Sequence, residues 1–207
     1  LLVYAGAYAL ADDLLARVQE IEPGASDPLV KARIHQAVAL RALVRGDLAQ
    51  HLVRIEAATA GYVEAGDLRS ACMAQITLGF ARSDLGAHAP AERALREALA
   101  TAERLGLPGP AAYARHTLGL VLSRRGALDE ARAVEQEAVR SFEATGDARL
   151  AGGSRAYLAQ ILAQLGDLEG AEREAGAAID GLAGAPAVRA FALATRARIR
   201  VARARPG

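Results

Sequence analysis

The chain has 207 residues, 52% of them hydrophobic but only 4% aromatic, and a formal net charge of +1. That balance supplies no global field for nucleic acid or an acidic membrane surface, so neither is an expected partner. A single cysteine, Cys72, excludes an internal disulfide and fits a reducing cytoplasm. No uncharged apolar run approaches the ~18–20 residues that span a bilayer. The apolar start, 1–11, lacks the basic flank and cleavage site of a signal peptide. It also lacks an initiator methionine, the sole methionine being Met73, so the chain reads as a fragment of a longer protein.

Glycine recurs every 40 residues, at Gly6, Gly46, Gly86, Gly126 and Gly166, and Gly66, Gly106 and Gly146 keep the interval half a period later. Glycine on a fixed beat marks turns that need left-handed backbone angles, and a period of this length marks stacked two-helix units. A partial unit over 1–25 holds a helix at 7–21, and Pro23 and Pro28 bracket the loop that follows. Four complete units are predicted at 28–66, 67–106, 107–146 and 147–185. Their first helices run over 29–45, 68–85, 110–125 and 148–165, and their second helices over 47–65, 87–105, 127–145 and 167–182. Pro186 opens a last helix over 187–205, in a partial unit 186–207. A one-residue insertion there brings Ile199 to the leucine position of the earlier units and Gly207 to the turn.

The first helices share an apolar stripe. Val38, Leu78, Leu118 and Leu158 are equivalent, and three residues on stand Ala81, Val121 and Ile161, with Arg41 as the exception. Ile34, Ala74, Ala114 and Ser154 precede the leucine position by four residues, so one helix face is to be buried. The second helices carry small residues five and twelve places after the turn glycine: Ala11, Ala91, Ala131 and Ala171, then Ala58, Ala98, Ala138 and Ala178. His51 and Val18 are the exceptions. Small residues seven apart let helix backbones approach closely. The last unit is the poorest, because Gly170 and Gly176 fall inside its second helix at about 1 kcal/mol each relative to alanine.

Leu118-Gly119, Gly126, Leu128-Asp129-Glu130-Ala131 and Ala138 resemble the tetratricopeptide repeat. Leu78-Gly79, Gly86, Ala91 and Ala98 match equally, Leu158-Ala159, Gly166, Ala171 and Ala178 nearly so, and Val38-Ala39, Gly46 and Ala58 more weakly. The resemblance implies an all-α, tetratricopeptide-like α-solenoid, a right-handed superhelix of helix-turn-helix repeats. Two departures stand out. The repeat is 40 residues long where the family usually has 34, as in repeats of bacterial signalling and transcriptional regulators. The early aromatic of the first helix is replaced by His35, Gln75, Arg115 and Arg155.

The same resemblance implies a concave groove lined by the first helices, holding a protein or peptide. The motif alignment places Arg33, Gln36 and Leu40 there, then Met73, Ile76, Phe80 and Ser83, then Tyr113, His116, Leu120 and Ser123, then Gly153, Ala156 and Gln160. Arg33, Gln36, Met73, Ile76, Phe80, Tyr113, His116 and Leu120 are the expected partner-binding set; the alternative is that the helix phase is off and they are core. The Lys/Asn pair with which some family members grip a terminal carboxylate is missing, since Lys31 is the sole lysine and there is no asparagine.

No catalytic, metal or cofactor site is expected, and the chain reads as non-enzymatic. His35, His51, His88 and His116 lack metal-ligand spacing, no phosphate-cradling loop precedes Lys31, and Gly152-Gly153-Ser154 lacks the second glycine of a nucleophile elbow. Arg196, Arg198, Arg200, Arg203 and Arg205 form the densest charge cluster, read as a solvated helix beside a missing repeat, with an anionic partner as the alternative. The expected role is an interaction or scaffold module of a larger bacterial regulatory protein. The alternatives are an effector-sensing repeat domain of a transcriptional regulator or kinase, and a non-catalytic part of an enzyme complex. Self-association through the open array ends is a second mode of partnering.

Overall fold

The computed structural model describes residues 6–204. The turn expected at Gly207 and Arg205, the end of the last expected helix, lie outside them. The chain divides into two compact units, Leu1–Ala102 and Glu103–Gly207. The first contains α1 (Tyr8–Ile21), α2 (Pro28–Arg45), α3 (Leu48–Glu64), α4 (Leu68–Asp84) and most of α5 (His88–Arg104). The second contains α6 (Pro108–Arg124), α7 (Leu128–Ala144), α8 (Ala148–Gln164), α9 (Leu168–Gly181) and α10 (Pro186–Ala204). A 3₁₀ turn at Glu22–Gly24 completes the described residues, which hold no strand.

Turns of two or three residues join most of these helices. Gly46, at φ 78°, donates to Leu43 O at 3.0 Å, and Asp47 donates to Ala42 O at 2.9 Å. This paired closure satisfies the last carbonyls of α2 and requires a left-handed residue, which glycine supplies without a Cβ clash. The same aspartate then starts the next helix, its carboxylate accepting from Gln50 N at 2.9 Å. Asp67, Asp147 and Asp167 repeat the device on Ser70, Leu150 and Gly170. Each such cap stabilises its helix by about 1 kcal/mol.

Turns this short force consecutive helices against each other, and the small residues sit where they meet. Ala58, Ala91, Ala98, Ala131, Ala138, Ala171 and Ala178 are completely buried, as are Ala74 and Ala114 on the first helices. Val38, Leu78, Leu118 and Leu158 are all buried too. In the first unit Ala32, Ala39, Ile55, Tyr62 and Leu78 share one core cluster. In the second unit Leu158, Leu162, Ala171, Ala175 and Ile199 share another. A Cβ on Gly79 would lie 2.7 Å from Leu95 Cγ, and one on Gly152 would lie 2.6 Å from Leu182 Cγ.

The exceptions to the repeat pattern have local causes. His51, where other units have alanine, is buried with Nδ1 2.8 Å from Ala39 O. Arg41 leaves the stripe to pair with Asp12 on α1, Nε to Oδ1 at 2.5 Å and Nη2 to Oδ2 at 2.9 Å, and stacks 5.0 Å from the Tyr8 ring centroid. Arg115 and Arg155, which replace the family's early aromatic, reach back to Glu103 and Glu143 at the end of the preceding helix. Arg155 also binds Glu174 at 2.5 Å. An ion pair between neighbouring helices thus stands where an aromatic ring would pack. Gly170 and Gly176 lie inside α9 without interrupting it.

Two stability tests follow from this packing. Gly79→Ala should destabilise the protein by about 1–3 kcal/mol, because the new methyl overlaps Leu95. Gly176→Ala, with no atom within 4 Å of the added Cβ, should stabilise it by about 0.5–1 kcal/mol. Urea denaturation measures both, and shifts of equal sign would contradict the packing described.

A third test concerns acid. Bonding from Arg41, with help from Arg45 and against some desolvation, lowers the Asp12 carboxyl from 3.8 to about 2. Folding therefore gains stability from this group above its unfolded value and loses it as pH falls through the folded one. Asp12→Asn should flatten the decline of the melting temperature between about pH 4 and pH 2; parallel curves for the two proteins would remove Asp12 from the acid response.

Candidate functional site

The expected partner-binding residues divide between the units. On the first, Arg33 and Gln36 are exposed and Met73 and Phe80 half-buried. Gln36 is held in place, its Oε1 accepting from the buried Tyr62 hydroxyl at 2.5 Å. Ile76 is 0% exposed. It is therefore core and presents no surface, a correction to its placement in the groove. The cause is helix phase: at about 100° per residue, a one-position error turns an open side chain inward.

On the second unit, Tyr113 is half-buried, and Leu120 is largely buried but lines an open cleft. His116 turns mainly inward. Its ring lies 5.5 Å from Tyr157, 6.2 Å from Tyr113 and 6.4 Å from Phe142, and Tyr157 lies 4.7 Å from Phe191, centroid to centroid.

His116 Nδ1 sits 2.6 Å from Glu135 Oε1 and 3.0 Å from Ser154 Oγ. Glu135 is completely buried and packs beneath Gly119, its other oxygen having no hydrogen-bond partner among the described residues. Its equivalents at steps of 40 are Ile55, Leu95 and Ala175, and those of His116 are Gln36, Ile76 and Ala156. A polar pair thus occupies a place that is wholly aliphatic one repeat earlier. Both contacts of the imidazole fall on the same nitrogen and Ser154 is buried, whereas a nucleophile–base–orienter relay needs opposite ring nitrogens.

The open face of the second unit is built by α6, α8 and α10. A cleft of about 390 Å³ is lined by Leu120, Ser123, Arg124, Tyr157, Gln160, Ile161 and Gln164. Beside it, a cleft of about 280 Å³ is lined by Gln160, Ala163, Gln164, Leu168, Thr195, Arg198, Ile199 and Ala202. The two are in register: Leu120 and Arg124 correspond to Gln160 and Gln164 at 40 residues, and Tyr157 and Ile161 to Arg198 and Ala202 at 41. The extra residue is the insertion read in the last unit. Gln160 Nε2 donates to Thr195 Oγ1 at 3.0 Å, and Gln164 Nε2 to Ser123 Oγ at 3.4 Å, so the two amides bridge adjacent helices.

Tyr157, Gln164, Thr195 and Arg198 are absent from the sequence-derived groove. For Tyr157 and Gln164 the available signal was i+4 spacing from Gly153 and Gln160, which were placed there. The arginine cluster also resolves into separate roles. Arg196 and Arg200 both bind Glu172, at 2.8 and 2.9 Å. Burial, the largest single influence, pushes the Glu172 carboxyl up, and the two arginines together outweigh it and hold it below its ordinary value. Arg198 and Arg203 remain exposed, and Arg205 lies outside the described residues.

Residues 111–145 match the tetratricopeptide repeat family, and the fold is a tetratricopeptide-like succession of helix pairs. No curated protein sequence matches the chain. Among solved structures, the Rap conjugation gene regulator of plasmid pLS20, in complex with the Phr* peptide, is similar at TM-score 0.74 and 21% identity over 86% of this chain and 48% of that one. The apo form of RapI aligns at TM-score 0.68 and 13% identity, covering 86% and 62%. BtubC from P. vanneervenii aligns at TM-score 0.65 and 20% identity, covering 99% and 76%. The chain thus spans about half to three fifths of the two Rap proteins.

The buried pair makes a prediction of its own. His116→Ala removes the hydrogen-bond partner of a completely buried carboxyl group and should cost about 1–3 kcal/mol. Adding Glu135→Leu, which restores the side chain found at Leu95, should recover most of that loss. A double variant as unstable as the single one in urea would mean that the buried carboxyl group is not the source.

Proposed function

We propose that this chain is a protein- or peptide-binding module of a larger bacterial regulatory protein, acting in the cytoplasm by recognition and without catalysis or cofactor. The observation that carries this reading is the cleft of the second unit, open, in register over two helix pairs, and lined by aliphatic, aromatic and amide side chains. Apolar walls supply affinity by desolvation, while fixed amides such as Gln160 and Gln164 match the donors and acceptors of an extended main chain. The peptide held by the similar pLS20 Rap regulator supports peptide as the ligand class. The same likeness favours the effector-sensing form of this reading, in which ligand binding biases an output domain elsewhere in the protein.

The test is selection of a random displayed-peptide library on the purified chain. Enriched peptides should bind Tyr157→Ala about 2 kcal/mol more weakly, as for an interface anchor, with helicity by circular dichroism unchanged. Peptides that bind a folded Tyr157→Ala variant as tightly as wild type would place the site outside this cleft.

A further inference from the structure

Resting on that groove reading, we infer that the second unit accepts an extended peptide with an apolar side chain and, about three residues further on, a carboxylate that pairs with Arg198. The two clefts have the same frame and different chemistry. The first is walled by Leu120, Tyr157 and Ile161, which suit an aromatic or aliphatic side chain, and its cation, Arg124, stands at the position of Gln164 in the second and not at that of Arg198. In the second, the position of Tyr157 is taken by Arg198, above a floor of Ala163, Leu168 and Ile199. No Asp or Glu lines either cleft.

Arg198 is set apart from its neighbours by helix geometry. Arg196 and Arg200 lie one turn apart on the side of α10 that meets α9, and Glu172 engages both. Arg198, about 200° around the helix from each, is exposed and lines the cleft, with no acidic partner among the described residues. The polar groups beside it are already fixed. Thr195 is 3% exposed and receives Gln160, while Gln164 is tied to Ser123. A carboxylate entering here meets an unused guanidinium and pre-set amides, and gains charge-assisted hydrogen bonds with little further ordering. Packed helices lie ~8–10 Å apart, about three extended residues at ~3.3 Å each, which sets the spacing. A terminal carboxylate and an Asp or Glu side chain offer the same chemistry.

The test uses the whole chain and three fluorescein-labelled Gly/Ser hexapeptides with Phe at the third position. The sixth residue is glycine with a free carboxylate, amide-capped Asp, or amide-capped Asn. Fluorescence anisotropy should show at least one carboxylate peptide binding about tenfold more tightly than the Asn peptide. Whichever of the two binds better identifies the terminus or the side chain as the source. Arg198→Gln should remove the preference, Arg203→Gln should keep it, and Tyr157→Ala should weaken all three.

Equal binding of the three peptides, all sensitive to Tyr157→Ala, would overturn the carboxylate subsite and leave the groove standing. No binding of any peptide would overturn both. Loss of the preference in Arg203→Gln as well would reduce it to overall charge. Displacement by a single-stranded oligonucleotide, dependent on Arg198, would assign the site to phosphate instead.

Discussion

Everything in this molecule depends on a turn of two or three residues. A glycine in the left-handed region closes one helix, and the next residue, an aspartate in four of the turns, opens the following one. So short a link holds the second helix against the first, and the distance between their axes becomes a question of side-chain volume. Alanine at five and twelve places after the glycine, and glycine at Gly79 and Gly119 on the facing helix, are what that distance permits. The high alanine content follows from turn geometry more than from helix propensity.

A frame made of small residues leaves specificity to the few large ones. Glu135 shows how far the frame tolerates change. The position carries Leu95 one repeat earlier, where the leucine packs beneath Gly79; here a carboxylate fills the same space beneath Gly119 and is held by His116. A buried polar pair of this kind is weak support for stability, since desolvating its polar groups offsets much of the hydrogen bond. Its structural effect is to fix the His116 ring between Tyr113, Tyr157 and Phe142, which orders the aromatic row beside the cleft.

How much of this was legible in the sequence depended on which physical signal each feature leaves. Turns and buried alanines were legible because they recur at a fixed interval and rest on single-residue properties: left-handed angles at glycine, small volume at alanine. Side-chain direction on the first helices was less legible: Ile76 proved to be core and His116 turned mainly inward, because that direction changes by about 100° per residue. The partners of Arg41, Arg115 and Arg155 were not legible at all. They read as departures from the apolar pattern, and their acids lie on other helices, at Asp12, Glu103 and Glu143.

Periodicity also changes what a difference between units means. In an irregular fold, an arginine in place of a tyrosine has no reference point. Here Arg198 and Tyr157 occupy the same place in successive copies of one frame, as do Gln160 and Leu120. The backbone presents the same cleft twice, and the second copy exchanges an aromatic ring for a cation and a leucine for an amide. Tyr157 gives the first cleft apolar surface that the second lacks, and Arg198 gives the second a cation where the first has that ring. On the proposed peptide-binding reading, the ligand is one whose own chemistry changes along its length at the spacing of the helices.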